Sequence, residues 1–507
     1  MPKDPSDKVY RLIRSLSIPE KRYFRIYIRG KTDKEAKYLQ LFELLARLPE
    51  YDSERVKAVI YPDKSEGKKY PELKAYLFDL ILEALRSFDE KHSVENAVTH
   101  WLQGVTSLYR RAHYRECDEL LGKALKVAIR YELFGAQLEV YRWKRHLAYT
   151  RMDVQFLHTQ LEVLDCEESL SLARLNNLAA YRSAFFHIYA LIKKEAFQRD
   201  PNRIQQLDAM LPASLFSGPE QALSIRARIA YYRTVNLYHY AAQQMDQFYD
   251  SGCVLIALIE ANRPFLAENQ SEYIAALFNH IIACGIRQDY EAVRATLDKL
   301  RNIVPRTEDD RRKIHRQYYS SLFVLCQFTG AFEEGRAAVR RCREEAISLQ
   351  YTDYETSSFY WQYMIIAFGC GDYQEALDYL QLWQAQPRSV EREDLQSLAR
   401  ILALILHYEL GNYLLLESLI RSAKRFLRQK NRLYVLERRF IQMMGQLMKS
   451  AGEGKEQQII RLMYNQWDNL PGASIIAQVF DLKAWMEARM EDKEYAKVVA
   501  ERYRQRH

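Results

Sequence analysis

Histidine and cysteine are the residue types most able to do chemistry in this chain, but its 11 histidines and 7 cysteines are scattered singly. His280 and Cys284 come nearest to a site, since a spacing of four residues puts both on one face of a helix. Two side chains are too few to hold a metal ion. A buried His280 satisfied by a neighbour is the simpler interpretation, and we expect no metal site.

Motifs that bind phosphate or carry a nucleophile are also missing. The sequence has no G-x-x-x-x-G-K-[ST] loop, no G-x-G-x-x-G after a strand, no H-E-x-x-H and no G-x-S-x-G. The acidic run Glu308-Asp309-Asp310 opens a helix, where carboxylates favour the positive end of the helix dipole. We therefore expect no enzyme and no cofactor.

Arginine is the residue type that suggests binding. Residues 421–440 hold eight Lys or Arg and one Glu, and Arg421, Lys424, Arg425, Arg428 and Arg432 fall on one helix face. Arg336 and Arg340 begin a similar stripe that continues to Arg343. Guanidinium groups offer a forked set of donors to phosphate or to acidic peptides. The alternative is a solvated outer face that only keeps the protein soluble.

A second basic cluster lies at the start of the chain. Residues 1–37 hold eleven Lys or Arg and five Asp or Glu, within a chain whose net charge is +8. Aromatic and basic side chains alternate in Lys21-Arg22-Tyr23-Phe24-Arg25. This composition fits contact with DNA or RNA, although no turn-helix signature joins the first helices.

The 36 tyrosines offer further candidates for contact with a partner. Tyr231 and Tyr238 stand among Arg226, Arg228 and Arg233, while Tyr360 and Tyr363 flank Trp361. Such rings can line a groove and stack on a peptide or on bases. The alternative is that they are the packing residues of the fold itself, and the sequence does not assign them.

A repeated turn indicates the elements that position these residues. It is clearest in Gly371-Asp372-Tyr373-Gln374-Glu375-Ala376, and its aromatic positions fall at 290, 332, 373 and 413, at intervals of 42, 41 and 40 residues. Further copies place Tyr114 and Tyr495 in the same role. Gly closes the first helix in the left-handed conformation, Asp or Asn caps the second, and the small residue lets the two helices approach. A period of this length is typical of stacked helical hairpins.

These residues resemble the tetratricopeptide repeat, whose turn reads Gly-Asp-Tyr-x-x-Ala and whose first helix opens with a Trp. Trp101 stands 13 residues before Tyr114 and matches that position. The resemblance covers roughly residues 100 to 500. It implies an all-α fold, a right-handed α-solenoid of about nine to ten hairpins with a period of about 40–42 residues, longer than the 34 of the family.

Residues 1–95 are predicted to form a separate basic helical module before the repeats of 96–507. Ser17-Ile18-Pro19-Glu20 is a helix start with a capping box, and Thr32-Asp33-Lys34-Glu35 is another. A long amphipathic helix is expected from about Pro71 to Phe88. The stretch from Ser17 to Phe24 resembles the opening of a family of bacterial tetratricopeptide-like proteins, which implies a shared module and no particular activity. Residues 200–220 are the most broken part of the repeats.

Composition supports a helical protein of the cytoplasm. Gly and Pro number only 17 and 13, and the longest apolar stretches, such as residues 401–406, are far too short to cross a membrane. The chain opens without the apolar core of a secretory signal, and the cysteines lack paired spacing, so we expect free thiols in a reducing compartment.

Two functions remain open. The first is a non-catalytic scaffold that binds a peptide or a partner helix, with an acidic partner favoured by the basic faces. The second is a nucleic-acid-associated regulator, whose basic N-terminal helices contact DNA or RNA while the repeats sense or oligomerise. Neither the identity of the partner nor the oligomeric state follows from the sequence.

Overall fold

Helices make up the whole secondary structure of the described residues. The computed structural model describes residues 7–29, 37–62, 69–89, 93–194, 203–347, 349, 351–386, 393–430, 433–450, 454–469 and 479–506. These contain 26 α-helices and no strand, so the all-α prediction is confirmed. Within these residues, no helix has the length and apolar composition needed to cross a bilayer.

The chain divides into two compact units. The first comprises residues 1–287 and 304–311, and the second comprises residues 288–303 and 312–507. Fifteen helices belong to the first unit: α1 Lys8–Ser15, α2 Ile18–Arg29, α3 Lys37–Arg47, α4 Ser53–Ile60, α5 Tyr70–Asp89, α6 Val94–Tyr109, α7 Tyr114–Arg130, α8 Phe134–Thr150, α9 Val154–Lys194, α10 Arg203–Ala209, α11 Ala213–Phe216, α12 Ile225–Ala241, α13 Met245–Ala261, α14 Arg263–Glu268 and α15 Gln270–Ile286.

The remaining helices follow in the second unit, whose boundary falls within α17. They are α16 Tyr290–Arg301, α17 Glu308–Thr329, α18 Phe332–Ala346, α19 Asp353–Gly369, α20 Tyr373–Gln384, α21 Glu393–Glu409, α22 Tyr413–Gln429, α23 Val435–Lys449, α24 Glu456–Gln466, α25 Leu482–Glu491 and α26 Tyr495–Arg506. Helices that follow one another along the chain pack together, as α18 does with α19, α19 with α20, and α20 with α21.

Helices α1 to α5 share one core, in which the rings of Phe24 and Phe42 lie 4.4 Å apart. The predicted capping box is present, since the Ser17 N–H donates to Glu20 (2.6 Å) and the Glu20 N–H donates to the Ser17 hydroxyl (3.3 Å). Helix α5 matches the expected span. The start signal at residues 32–35 lies outside the described residues.

The aromatic residue of the repeated turn marks the start of a helix in every copy. Six helices begin at these positions: α7 at Tyr114, α16 at Tyr290, α18 at Phe332, α20 at Tyr373, α22 at Tyr413 and α26 at Tyr495. A left-handed residue precedes each of them by two or three positions: Ala112 (φ 61°), Gln288 (61°), Gly330 (76°), Gly371 (77°), Gly411 (70°) and Asp492 (52°). The prediction that glycine closes the first helix in this conformation is therefore confirmed at its three glycine copies.

Side-chain caps follow the prediction at the two aspartates. Asp289 accepts from the Ala292 N–H (3.0 Å), and Asp372 accepts from the Glu375 N–H (3.1 Å). Asn412 was expected to cap α22 and does not. Its amide instead lies 3.2 Å from the His407 ring, on the helix that the turn has just left.

Small residues allow close contact at the hairpin corners. Ala376 is completely buried, and Tyr373 packs edge-on against Phe368 with 5.2 Å between ring centroids. A Cβ atom on Gly369 would stand 1.9 Å from the Phe332 ring. These contacts fix how deeply one helix sits against the next, because larger side chains would overlap.

Several ion pairs between helices join residues about one repeat apart, and we call these one-period ion pairs. In the second unit, Arg294 pairs with Glu334, 40 residues on, and Arg336 pairs with Asp372, 36 residues on. In the first unit, Arg233 reaches Glu272, 39 residues on. These intervals lie close to the 40 to 42 residues that separate the aromatic positions of the repeated turn.

Gly330 and Gly371 permit a matched test of the corners. Both have positive φ, but a Cβ on Gly330 would lie 2.7 Å from the Ala500 nitrogen, while Gly371 has nothing within 4 Å. We expect Gly371→Ala to cost about 1–2 kcal/mol of unfolding free energy from conformation alone. Gly330→Ala should cost about 3 kcal/mol or more because it adds a backbone clash. Chemical denaturation measures both, and equal losses would contradict this account.

Two buried glutamates in the second unit have opposite surroundings. Glu355 accepts from the Thr352 N–H (2.9 Å) and from the guanidinium groups of Arg312 and Arg316. Burial alone would raise the pKa of Glu355, but the hydrogen bonds from Thr352 and Arg312 hold this pKa below its ordinary value. Glu437 is also buried, and its Oε2 has no hydrogen-bond partner among the described residues, so burial raises its pKa.

The substitution Glu→Gln should therefore change stability in opposite directions at these sites. At neutral pH, Glu355→Gln should lower the unfolding free energy by about 2 kcal/mol, since it removes a buried carboxylate that is matched by the half-buried guanidinium groups of Arg312 and Arg316. Glu437→Gln should raise it by about 1 kcal/mol by removing an unpaired buried charge.

The pH dependence separates the two further. The contribution of Glu355 is present above the ordinary carboxyl pKa and is lost as pH falls through its lowered folded pKa. The contribution of Glu437 to stability is fully present below the ordinary carboxyl pKa, where its side chain is neutral. This contribution is lost as pH rises through the raised pKa of Glu437 in the folded state. Denaturant titrations from acid to neutral pH measure both effects, and a shift of the same sign in both variants would contradict the assignment.

Candidate functional site

Several of the candidate residues line one cleft in the second unit, which we call the basic cleft. Arg336, Arg340 and Arg343 project from α18 at helical spacing, and Tyr363 of α19 and Tyr379 of α20 lie opposite. The cleft has a volume of about 360 Å³. The arginine stripe predicted from spacing therefore faces a concave surface rather than open solvent alone.

The three arginines of the basic cleft differ in their partners. Arg336 lies 2.8 Å from Asp372 and 3.8 Å from Glu375, and the Arg343 guanidinium donates to the Tyr379 hydroxyl (3.2 Å). Arg340 is exposed and has no ion-pair partner within the described part of the chain. The two outer guanidinium groups are held in place, and the central one is open to an incoming anion.

The phenol groups of the basic cleft do not ionise near neutral pH. Tyr363 is buried and its hydroxyl donates to the Cys342 sulfur (3.2 Å), and burial raises the pKa of Tyr363. Burial likewise raises the pKa of Cys342 to about 12 and raises that of Tyr379. Tyr360 is half-buried and stacks on Tyr379 at 6.5 Å. The buried phenols thus position the arginines from behind, and the thiol is not an activated nucleophile.

The basic face of α22 comprises Arg421, Lys424, Arg425 and Arg428, and all four side chains are exposed as predicted. Arg421 pairs with Glu417 one turn earlier (3.2 Å), while the other three lack a counter-ion among the described residues. Leu414, completely exposed, stands on the same side of the helix, seven residues before Arg421. Arg432, expected to extend this face, lies outside the described residues.

The candidate tyrosines of the first unit have structural roles. Tyr231 is buried between Tyr181 and Phe216, with ring centroids 5.9 Å and 5.6 Å away. The hydroxyl of Tyr238 donates to Asp208 (2.6 Å). Little of the Tyr231 ring is left for a partner, which favours the interpretation of these residues as packing residues.

His280 lies between two cysteines. Its Nε2 is 3.5 Å from the Cys284 sulfur and its Nδ1 is 4.0 Å from the Cys253 sulfur. Cys253 was not foreseen, because it comes from the neighbouring α13. Within the described residues, no three His, Cys, Asp or Glu side chains are placed to hold a metal ion.

Part of the basic character of the N-terminal helices is used inside the first unit. Arg25 pairs with Glu43 (2.6 Å), and the Lys8 ammonium lies 3.7 Å from the centre of the Phe78 ring. Burial and the neighbouring Arg14 lower the pKa of Lys21. Net charge counted along the sequence therefore overstates the charge that these helices present to a partner.

No family model, curated protein or solved structure matches this chain. The resemblance to the tetratricopeptide repeat therefore remains an expectation that depends on the turn residues themselves. Two further members of the basic cleft, Tyr379 and Glu375, were missed as candidates. The sequence indicates these residues only by their separation from the arginines, which is close to one repeat. Tyr379, for example, stands 36 residues after Arg343.

The basic face of α22 should be dispensable for folding. We expect simultaneous replacement of Arg421, Lys424, Arg425 and Arg428 by Gln to shift the melting temperature by no more than about 2 °C, because exposed charges add little stability. Thermal unfolding followed by circular dichroism measures this. Loss of the cooperative transition would mean instead that these side chains hold helices together.

Proposed function

We propose that the protein is a non-catalytic interaction protein that binds an acidic peptide segment, or the acidic face of a partner helix, in the basic cleft. The observation that carries this proposal is Arg340, which has no ion-pair partner among the described residues and stands between two arginines whose positions are fixed. A carboxylate that enters the cleft gains a charge-assisted hydrogen bond without first breaking an internal ion pair.

The shape of the basic cleft supports a peptide over a large folded surface. Guanidinium groups make up its exposed lining, while Tyr363 and Tyr379 are only 5% and 7% exposed and Ile366 and Ala367 are buried. An acidic peptide therefore meets mainly guanidinium donors, with a small apolar surface beside them. The basic face of α22 supplies a second positive surface of the same unit, which adds long-range attraction for an acidic partner.

Arg340→Gln should weaken this binding selectively. The probe is a fluorescein-labelled peptide of alternating glutamate and leucine, titrated at low salt and followed by fluorescence anisotropy. We expect Arg340→Gln to raise the Kd about tenfold, since it removes one charge-assisted contact. Arg341→Gln is the matched control, because Arg341 is exposed on the same helix and does not line the cleft.

The outcomes separate the two functional hypotheses. Saturable peptide binding that weakens with Arg340→Gln and with added salt supports the proposal. Equal affinity of the wild type and Arg340→Gln would overturn it. Tight binding to labelled DNA or RNA with a steep salt dependence, unaffected by Arg340→Gln, would favour the nucleic-acid-associated regulator. A pull-down from native lysate, with Arg340→Gln as the negative control, then identifies the partner.

A further inference from the structure

The first unit contains a pocket that shares no residue with the basic cleft. It has a volume of about 220 Å³ and is lined by α9, α12, α13, α14 and α15. Its charged lining consists of Arg182, Arg226 and Arg233 against a single carboxylate, Glu272. Three guanidinium groups facing one small space repel one another unless an anion lies between them.

Arg226 carries a buried donor group that lacks an acceptor within the described part of the chain. Its Nε is buried and has no hydrogen-bond partner among the described residues, and its guanidinium lies 5.6 Å from the centre of the Phe265 ring. Glu132 and the exposed Glu95 also attract its charge. The Glu132 carboxylate, however, is engaged by the N–H groups of residues 225 and 226 at 3.0 Å and 2.8 Å. A buried donor without an acceptor costs free energy, which a ligand oxygen would recover.

Arg233 is placed by aromatic packing more than by its ion pair. Its guanidinium lies 4.0 Å from the centre of the Phe185 ring, and its contact with Glu272 is long at 3.4 Å. Cation–π contact of this kind holds a guanidinium without using its N–H donors. The N–H groups of Arg233 can therefore donate to a ligand while its guanidinium stays over the Phe185 ring.

Apart from Asn269, the rest of the pocket is apolar. Phe185, Phe186, Phe265 and Leu178 contribute to it, and Phe186 is 63% exposed although it is a large aromatic residue. An apolar lining with a few convergent polar groups is typical of a small-molecule site. The volume is below the roughly 300–1,000 Å³ of sites for drug-sized ligands, which restricts the occupant to a compact molecule.

We propose that this pocket binds a small carboxylate with an aromatic or compact apolar body, with the carboxylate on Arg226 and Arg233 and the body against the phenylalanines. Phenylacetate is a suitable probe, since it carries one carboxylate on one ring. Benzyl alcohol tests the ring without the charge, and acetate tests the charge without the ring.

Isothermal titration calorimetry on the full chain measures its affinity for each of the three probes. We expect saturable binding of phenylacetate and binding weaker by about tenfold or more for benzyl alcohol and acetate, which each lack one half of the contact. Arg226→Gln should weaken the binding of phenylacetate by a similar factor. Arg228 is exposed on the same helix and does not line the pocket, so Arg228→Gln should leave this binding unchanged. Melting temperatures verify that each variant is folded.

The substitution Glu272→Gln tests whether the pocket binds a carboxylate. If Arg226 had only a structural role, this substitution would not change the affinity for phenylacetate. Removal of this carboxylate frees Arg233 and lowers the competing negative charge, so phenylacetate should bind severalfold more tightly. No saturable binding of phenylacetate, equal affinity for benzyl alcohol, or no change with either Arg226→Gln or Glu272→Gln would overturn the proposal.

Discussion

Ten connections between successive helices of the described residues place one residue in the left-handed conformation. Such a residue ends one helix and lets the next begin within a few residues, and glycine adopts this conformation without steric cost. Gly371 serves this role, but Glu132 (φ 50°) and Met152 (φ 54°) occupy the same conformation with full side chains. Those turns therefore carry a local cost of about 1 kcal/mol or more, which the packing of the two helices must exceed.

This constraint explains why the sequence predicts some corners and misses others. Where glycine and aspartate stand before an aromatic residue, the turn chemistry is local, and the cap predicted at Asp372 does precede the first residue of α20, Tyr373. The 41-residue helix α9 contains no copy of the repeated turn. A regular spacing of turns assumed between residues 114 and 290 therefore could not predict this long helix. The capping of α12 by Glu132 was equally invisible, because that contact spans 93 residues.

Charge is harder to predict than the corners, because helical spacing identifies a face but not what lies across from it. Arg336 and Arg340 look alike in the sequence, yet Arg336 has a one-period ion pair with Asp372 and Arg340 has no ion-pair partner in the described part of the chain. The same limit applies to Tyr231. Neighbouring arginines in the sequence made it a candidate for binding, but the structure packs it in the core. Contacts from other helices decide each case, Asp372 for Arg336 and Tyr181 with Phe216 for Tyr231, and these contacts become known only when the helices are placed.

The one-period ion pairs also explain where positive charge stays open. Arg294 meets Glu334 because α18 begins with acidic residues, and Arg312 meets Glu355 because the first turn of α19 does. Helix α24 follows α22 by one period, and its single acid, Glu456, accepts from Tyr408. Within the described residues, the basic face of α22 therefore lacks acids of the kind that α18 and α19 supply to Arg294 and Arg312. A partner that brings carboxylates at helical spacing would complete there the same pairing that the protein uses internally, which is the physical reason to expect an acidic partner rather than a neutral one.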